Sequence, residues 1–348
     1  MELRSPRPLV VVLGASGFIG SAVTRELARR PVRLRLVARR PVPVPGHRTA
    51  DVETRTADLT EPGELARCVA GADAVLHLVA HLGGGTGWRI ADGDDTAERV
   101  NVGLVRDLVE ALRARRGSGP APQVVFSGTT TQVGPVDRVR LDGSEEDRPR
   151  STYDRHKLAA EQALKAATAE GVLRGTALRL PTVFGHGPLS TARDRGVVST
   201  MVRRALAGEP LTMWHDGSVL RDLVYVDDVA RAFAAALDHP DHLAGRHWLV
   251  GTGDGAPLGE VFARIAEITA ETTGGPRVPV VSVDPPEQSE ATDFRSMVID
   301  PAPFRKATGW SPEVPLTEGL RRTVAALAAQ TGSRHVVSRE KRRAGEGT

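Results

Sequence analysis

Tyr153 and Lys157 stand four residues apart in Tyr153-Asp154-Arg155-His156-Lys157. On a helix that spacing puts a phenol and an ammonium on one face, where both can reach one substrate atom. A phenol of pKa about 10 is a poor acid–base group at neutral pH, and a cation within reach lowers that value by about 1–3 units. With two Tyr and four Lys in 348 residues, chance would produce this spacing only about 0.02 times. A second feature is Gly14-Ala15-Ser16-Gly17-Phe18-Ile19-Gly20, which follows an apolar run and opens a helical pattern. Glycines at a strand-to-helix turn let a pyrophosphate approach the free N–H groups of the helix N-terminus. Taken alone, the triplet also reads as a tight turn without a ligand. The second apolar run ends in Val37-Ala38-Arg39-Arg40, where a fold that takes NAD places Asp or Glu against the ribose hydroxyls. Ala38 leaves room, and Arg39 and Arg40 can pair with a 2′-phosphate, which points to NADP(H). Asp58, in Thr56-Ala57-Asp58-Leu59, is placed either to meet an adenine amino group or to cap a turn.

These groups need a scaffold, and the apolar pattern supplies one. Leu9–Leu13 is a continuous apolar run, as expected for a strand buried on both faces. Leu34–Ala38, Ala74–Val79 and Val124–Ser127 repeat it. Helical spacing fills the gaps, at Ser21–Arg30 and at Val100–Arg113, whose Val102, Val105, Leu108, Val109 and Leu112 share a face. Strands alternating with helices imply βαβ units and an α/β, doubly wound parallel sheet of the Rossmann type. We expect residues 1–180 to form this dinucleotide-binding domain, with 220–245 returning to it. Residues 181–330 would form a smaller C-terminal α/β substrate domain, and the second half of the chain carries helical patterns over Asp227–Leu237, Leu258–Ala270 and Thr317–Ala329. Residues 331–348 lack periodicity and are expected to be a disordered basic tail.

The formal charge of +3 sits entirely in that tail, which leaves residues 1–330 neutral. A basic tail on a neutral body is no nucleic-acid footprint. One cysteine, Cys68, in an apolar stretch, excludes an internal disulfide and a multi-cysteine metal site and reads as a small buried residue. No metal is expected. The apolar N-terminal run is too short for a signal peptide or a membrane span, so the expectation is a cytoplasmic protein without a membrane partner.

Together these pieces resemble the extended short-chain dehydrogenase/reductases, the group of sugar-nucleotide epimerases, dehydratases and reductases. The likeness covers nearly the whole chain to about residue 330. The resemblance implies that Gly14, Ser16, Gly17, Phe18, Ile19 and Gly20 line the cofactor, joined by Asp58, Leu59, Leu78, Ala80, Asn101, Pro181 and Val183. In Ser127-Gly128-Thr129-Thr130-Thr131-Gln132-Val133-Gly134 the family register selects Thr129 as the active-site hydroxyl. Thr129 would hold the substrate carbonyl, Tyr153 would pass the proton, and Lys157 would hold the nicotinamide ribose and tune Tyr153. Substrate contacts are implied for His81, Trp88, Thr130, Thr182, Arg221 and Arg295. Arg221, in Arg221-Asp222-Leu223-Val224-Tyr225-Val226-Asp227, would meet a substrate diphosphate or else form a structural salt bridge. The loop from His81 to Asp95 would shape a hexose pocket or be a surface loop. Trp310, in a late family motif, reads as a packing residue.

Two departures from the family narrow the reaction. Nucleotide-sugar 4,6-dehydratases carry Asp-Glu where this chain has Thr130-Thr131, and threonine cannot act as a general acid or base at neutral pH. Galactose-type epimerases hold NAD tightly, which the missing acidic residue after the second strand opposes. The sequence therefore looks most like NADPH-dependent 4-ketoreductases of nucleoside-diphosphate (dTDP) 4-keto-6-deoxyhexoses, which make deoxysugars for glycosylated natural products such as antibiotics. The alternatives are a C3-ketoreductase or epimerase on similar sugars, or a non-catalytic NADP-sensing module. Apolar residues on Val100–Arg113 and on the helix after Tyr153 exceed what one sheet face covers, and in this family such helices pair across an isologous homodimer contact.

Overall fold

The computed structural model describes residues 7–83, 90–115, 117, 119–187, 189–190, 194–214, 216–285, 289 and 291–345, with 291–292 and 331–345 as backbone. β1 (Leu9–Leu13) is buried along its whole length. Its side chains alternate between two cores, Val10 and Val12 entering one and Leu9, Val11 and Leu13 the other. This is the period-two alternation of a strand covered on both faces. Beside it lie β2 (Arg33–Ala38), β3 (Asp51–Thr56), β4 (Ala74–His77), β5 (Gln123–Thr129), β6 (Arg174–Leu180) and β7 (Arg246–Leu249). The seven-stranded sheet has the order β7-β6-β5-β4-β1-β2-β3, and its pairs are parallel. That is the dinucleotide-binding order, with its reversal between β1 and β4. β3 is the polar edge, Asp-Val-Glu-Thr-Arg-Thr, whose charges discourage further pairing.

Register decides where the chemistry converges. Val37, Leu13, His77, Phe126, Ala177 and His247 form one row across the sheet. Gly14, Ala38, Leu78, Ser127–Thr129 and Leu178–Leu180 all lie just past that row, at the carboxyl edge where α/β sheets bind ligands.

One face of the sheet carries α1 (Phe18–Leu27), packed against Val226–Asp238, a helix that follows the second-lobe strand Leu220–Tyr225. The other face carries α2 (Glu64–Val69), α3 (Leu104–Arg113) and α4 (Thr152–Ala169). Cys68 lies fully buried in that core. α1 starts earlier than the pattern Ser21–Arg30 predicts, because Gly20 belongs to its first turn. α3 is shorter than the predicted Val100–Arg113, because Arg99–Gly103 forms a π-turn. The extra residue per turn aims the Asn101 amide inward. Within this single chain Val102, Val105, Leu108, Val109 and Leu112 are all buried. Within the chain α2 and α4 pack over this face, while Val100 and Ala111 stay half-buried.

The second lobe adds a sheet of Thr182–Phe184, Leu220–Tyr225 and Gly255–Pro257, with helices Val197–Leu206, Leu258–Thr273 and Leu316–Gly345. Asp222 ties its strands together, accepting from the N–H groups of Thr252 (2.9 Å), Gly253 (3.0 Å) and Ile299 (3.2 Å). Trp310 packs on Phe304 and donates from Nε1 to the Asp228 carbonyl at 3.0 Å, the packing role its motif suggests. The last helix runs on to Gly345, past residue 330, where the aperiodic sequence suggested disorder. Good helix formers (Arg, Lys, Glu, Ala) continue it without a sustained apolar stripe.

Candidate active site

At the turn after β1, Gly14 has φ +88°, and a Cβ there would sit 3.0 Å from the Leu78 carbonyl. A Cβ on Gly20 would lie 2.1 Å from the Gly14 carbonyl oxygen. The Gly14 and Ala15 N–H groups donate to the Val37 carbonyl at 2.9 and 3.1 Å, which locks the turn to β2. This is a backbone cradle that side chains would fill, and it fits a pyrophosphate at the start of α1. Ser16, Phe18 and Ile19 line its rim half-buried, and Ser190 Oγ closes over it onto the Ser16 carbonyl at 3.4 Å. Gly20→Ala is expected to destabilise the protein by about 3 kcal/mol or more and to remove dinucleotide binding, because backbone rather than a flexible side chain must yield. Chemical denaturation alongside a cofactor titration checks this, and wild-type values in both would contradict it.

Beside the cradle, Ala38 is buried while Arg39 and Arg40 are exposed. Asp58 is exposed too, and its carboxylate accepts from the Thr60 N–H at 3.0 Å and the Thr60 hydroxyl at 2.6 Å. The Thr60 bonds hold the Asp58 carboxyl below the usual carboxylate range, with Arg39 and Arg99 adding to the effect. Of the two roles left open for Asp58, the turn is the one its bonds serve. Leu59 next to it is core. Past β4, Leu78 faces Gly14 and Ala80 is exposed. Asn101 does not reach outward. Its amide accepts from the His81 N–H at 2.7 Å and donates to the His81 carbonyl at 3.0 Å, so it shapes the strand exit rather than offering itself to a cofactor. The His81 ring turns toward Asp94, 3.9 Å away. Trp88 lies outside the described residues. Pro181, Thr182 and Val183 are half-buried at the exit of β6.

Helix α4 brings Tyr153 and Lys157 to the end of β5. Ser151 caps the helix, accepting from the Asp154 N–H. Lys157, 2% exposed, donates from Nζ to the Ser127 carbonyl at 2.7 Å. Its ammonium stands over the Phe126 ring (4.7 Å) and 5.7 Å from the Tyr153 ring centroid. The sequence predicted that this cation would lower the Tyr153 pKa. The structure reverses that expectation. Burial pushes the Tyr153 phenol well above its ordinary value, and the Asp154 carboxylate adds to the rise. Burial also pulls Lys157 down to about 7. Desolvation penalises phenolate and ammonium alike, and the ammonium spends its hydrogen bond on Ser127. The phenol therefore stays protonated at neutral pH.

Thr129 opens a short 3₁₀ turn and closes a capping box with Gln132. Its hydroxyl lies 2.8 Å from that of Thr131, and Thr131 donates to Asp154. The Thr130 hydroxyl is turned away, donating to the Leu180 carbonyl at 3.3 Å, which removes it from the substrate role expected of it. Behind Thr129 stands a buried network missed in the sequence reading. The Gln132 side chain accepts from the Thr129 N–H and donates to Glu161, both at 3.1 Å. Glu161 pairs with Arg179 at 2.8 Å, and Arg179 forks onto Asp147 at 2.7 Å. Burial raises the Glu161 pKa, but bonds from His247, Arg179 and Lys165 outweigh it and hold the carboxyl far below the usual range. The Thr129-x-x-Gln132 capping signal was legible. The rest, joining residues distant in sequence, was not.

Arg221 donates to the carbonyls of Leu220 (3.1 Å) and Asp293 (2.7 Å) and to that of Arg295. Arg295 in turn donates to the Gly134 (2.9 Å), Arg138 (3.0 Å) and Val136 carbonyls. Those bonds go to main-chain carbonyls, and burial pulls both pKa values down, with Asp293 opposing the fall at Arg221 and Asp137 at Arg295. Among the described residues no group of three or more His, Cys, Asp or Glu could hold a metal, and no helix is long and apolar enough to cross a membrane.

A Rossmann sheet with a glycine cradle at its first turn and a Tyr–Lys pair at its carboxyl edge defines a protein of the extended short-chain dehydrogenase/reductase type. The chain belongs to the NAD dependent epimerase/dehydratase family, whose model matches residues 10–251. It is 26% identical to a dTDP-L-rhamnose 4-epimerase of Burkholderia thailandensis, over 89% of this chain and 92% of that protein. It is 29% identical to a dTDP-6-deoxy-L-talose 4-dehydrogenase (NAD(P)(+)) of Kitasatospora kifunensis, over 90% and 93%. Among solved structures, MoeE5 in complex with UDP-glucose and NAD superposes with a TM-score of 0.76 at 29% identity, over 93% of this chain and 99% of that one.

Proposed function

We propose that this protein reduces the C4 ketone of a thymidine-diphosphate 4-keto-6-deoxyhexose with NADPH, in deoxysugar formation. NADPH supplies the hydride. Tyr153 gives its phenolic proton to the oxygen that becomes the new hydroxyl, and Thr129 holds that oxygen. Lys157 holds the nicotinamide ribose, and Arg221 and Arg295 meet the diphosphate. The observation that carries the reading is the Tyr153–Lys157 pair held at the end of β5, with Lys157 bonded to the Ser127 carbonyl two residues before Thr129 and no carboxylate at positions 130 and 131 to drive dehydration. The two relatives named for C4 chemistry on dTDP-6-deoxyhexoses support the substrate class. The 4-epimerase among them also favours a second reading, epimerisation at C4. A homodimer would use the half-buried Leu158, Ala159 and Ala163 on α4, and light scattering showing only a 37.1 kDa species would remove it.

Mixing protein, NADPH and the keto sugar, with absorbance followed at the reduced-nicotinamide band, separates the readings. Loss of absorbance supports reduction. Inversion of a 4-hydroxy sugar without net cofactor change supports the epimerase, and cofactor binding without turnover supports a sensing module. Cofactor choice has its own test. A charge-assisted pair contributes about 1.5–3 kcal/mol, or about 10–150-fold in affinity. NADPH should therefore bind at least about tenfold tighter than NADH. Arg39→Ala should erode most of that preference with NADH affinity nearly unchanged, and Ala38→Asp should invert it. Fluorescence-quenching titrations read both. Equal wild-type affinities would refute the NADP assignment, and an unchanged ratio in Arg39→Ala would move the phosphate contact to Arg40.

A further inference from the structure

The Thr129 hydroxyl is the outer end of a chain that leads inward to a carboxyl group. Thr129 Oγ1 lies 2.8 Å from Thr131 Oγ1, Thr131 bonds Asp154 Oδ1, and Ser151 Oγ donates to Asp154 Oδ2 at 2.7 Å. Asp154 is 5% exposed. Each hydroxyl has one hydrogen, and an ionised carboxylate only accepts. With Asp154 ionised, Thr131 must give it its hydrogen, so the Thr131 oxygen takes the hydrogen of Thr129. Thr129 then faces the cleft with lone pairs alone. With Asp154 protonated, its own hydrogen goes to Thr131, Thr131 turns toward Thr129, and the Thr129 hydrogen is released outward.

We propose that Asp154 is a positioning residue whose protonation state sets the direction of this hydroxyl chain, making Thr129 a donor to a ketone oxygen or an acceptor from an alcohol. The proposal rests on the ketone-reduction reading above. Asp154 keeps its proton throughout, since the proton delivered to substrate comes from Tyr153. Burial raises the Asp154 pKa, and the Thr131 and Ser151 bonds and Arg155 partly offset the rise. The titratable groups around it are the neutral Tyr153 phenol and Arg155 on its own helix and Asp92, which accepts from Arg155 and Thr152. Lys157, one turn on, gives one of its donors to the Ser127 carbonyl. Reduction should accordingly fade as pH rises through the Asp154 titration, well below that of Tyr153, while alcohol oxidation gains.

The test is the pH profile of kcat for NADPH reduction of the thymidine-diphosphate keto sugar by wild type, Asp154→Asn and Thr131→Val. The wild type should lose about tenfold across the step, the worth of one hydrogen bond. Both variants should lack the step. Thr131→Val keeps the Asp154 charge beside Tyr153, so a step that persists there and vanishes in Asp154→Asn would assign the effect to the field on Tyr153 and overturn the chain. Infrared spectra of the protein alone give a second readout. A protonated-carboxyl band absent from Asp154→Asn should titrate with the kinetic step and move to higher pH in Thr131→Val, where the ionised form loses a donor. A band that is missing, or that Thr131→Val leaves in place, overturns the proposal. A wild type that never consumes NADPH refutes the ketone-reduction reading instead, and the infrared titration still decides whether the chain is coupled.

Discussion

Tyr153→Phe is expected to lower turnover about 10²–10⁴-fold, the usual contribution of a positioned acid, while changing cofactor affinity less than about twofold. The substitution removes one oxygen and leaves the ring. In the folded protein burial keeps the phenol protonated, which is the form that reduction of a ketone needs. The lost interaction forms only as charge develops on the substrate oxygen, so kcat falls and KM moves little. Absorbance at the reduced-nicotinamide band with the keto sugar reads the first quantity, and a binding titration the second. Near-normal turnover would show that the proton comes from elsewhere.

Lys157→Met should separate activity from stability. Turnover is expected to drop about a hundredfold or more, because the group that orders the acid site is gone. Stability is expected to rise. The ordinary lysine value is 10.5, and burial brings Lys157 to about 7 in the fold. Between those values the unfolded chain binds a proton that the folded chain has released, so wild-type stability climbs with pH across that window. Below about pH 7 both states are protonated, and the fold carries the full cost of a desolvated ammonium. A methionine of similar volume avoids that cost and gives up one bond, to the Ser127 carbonyl. Replacing a buried ion pair with packed apolar residues gains about 1–4 kcal/mol, and the Lys157 ammonium bears the same kind of desolvation cost. We expect a gain in that range at pH 6 that narrows toward pH 10. Denaturant melts at the two pH values measure it, and a variant less stable than wild type at pH 6 would refute the argument.

Some of this was readable before folding. β1 and β2 are legible because a strand covered on both faces must be apolar throughout, and Leu9–Leu13 and Leu34–Ala38 are. The polar edge strand Asp51–Thr56 has no apolar run to mark it, since an edge strand buries little. The π-turn at Arg99–Gly103 hid within a helical pattern, and its Asn101 amide meets the backbone of His81, 20 residues away in sequence.

By itself, the sequence determined the glycine cradle, the shared helical face of Tyr153 and Lys157, and the arginines after β2. Each depends on residues within a few positions of one another, where backbone geometry alone sets who meets whom. Tertiary structure decided the rest. Thr131 meets Asp154 across 23 residues, Lys157 meets Ser127 across 30, and Arg179 meets Asp147 across 32. The first two exist only once α4 docks on the end of β5, and the third only once the segment before α4 reaches β6. The same docking expels water from the Tyr153 phenol and the Lys157 ammonium, and desolvation turned the Tyr153 shift upward against the direction that the four-residue spacing alone predicts.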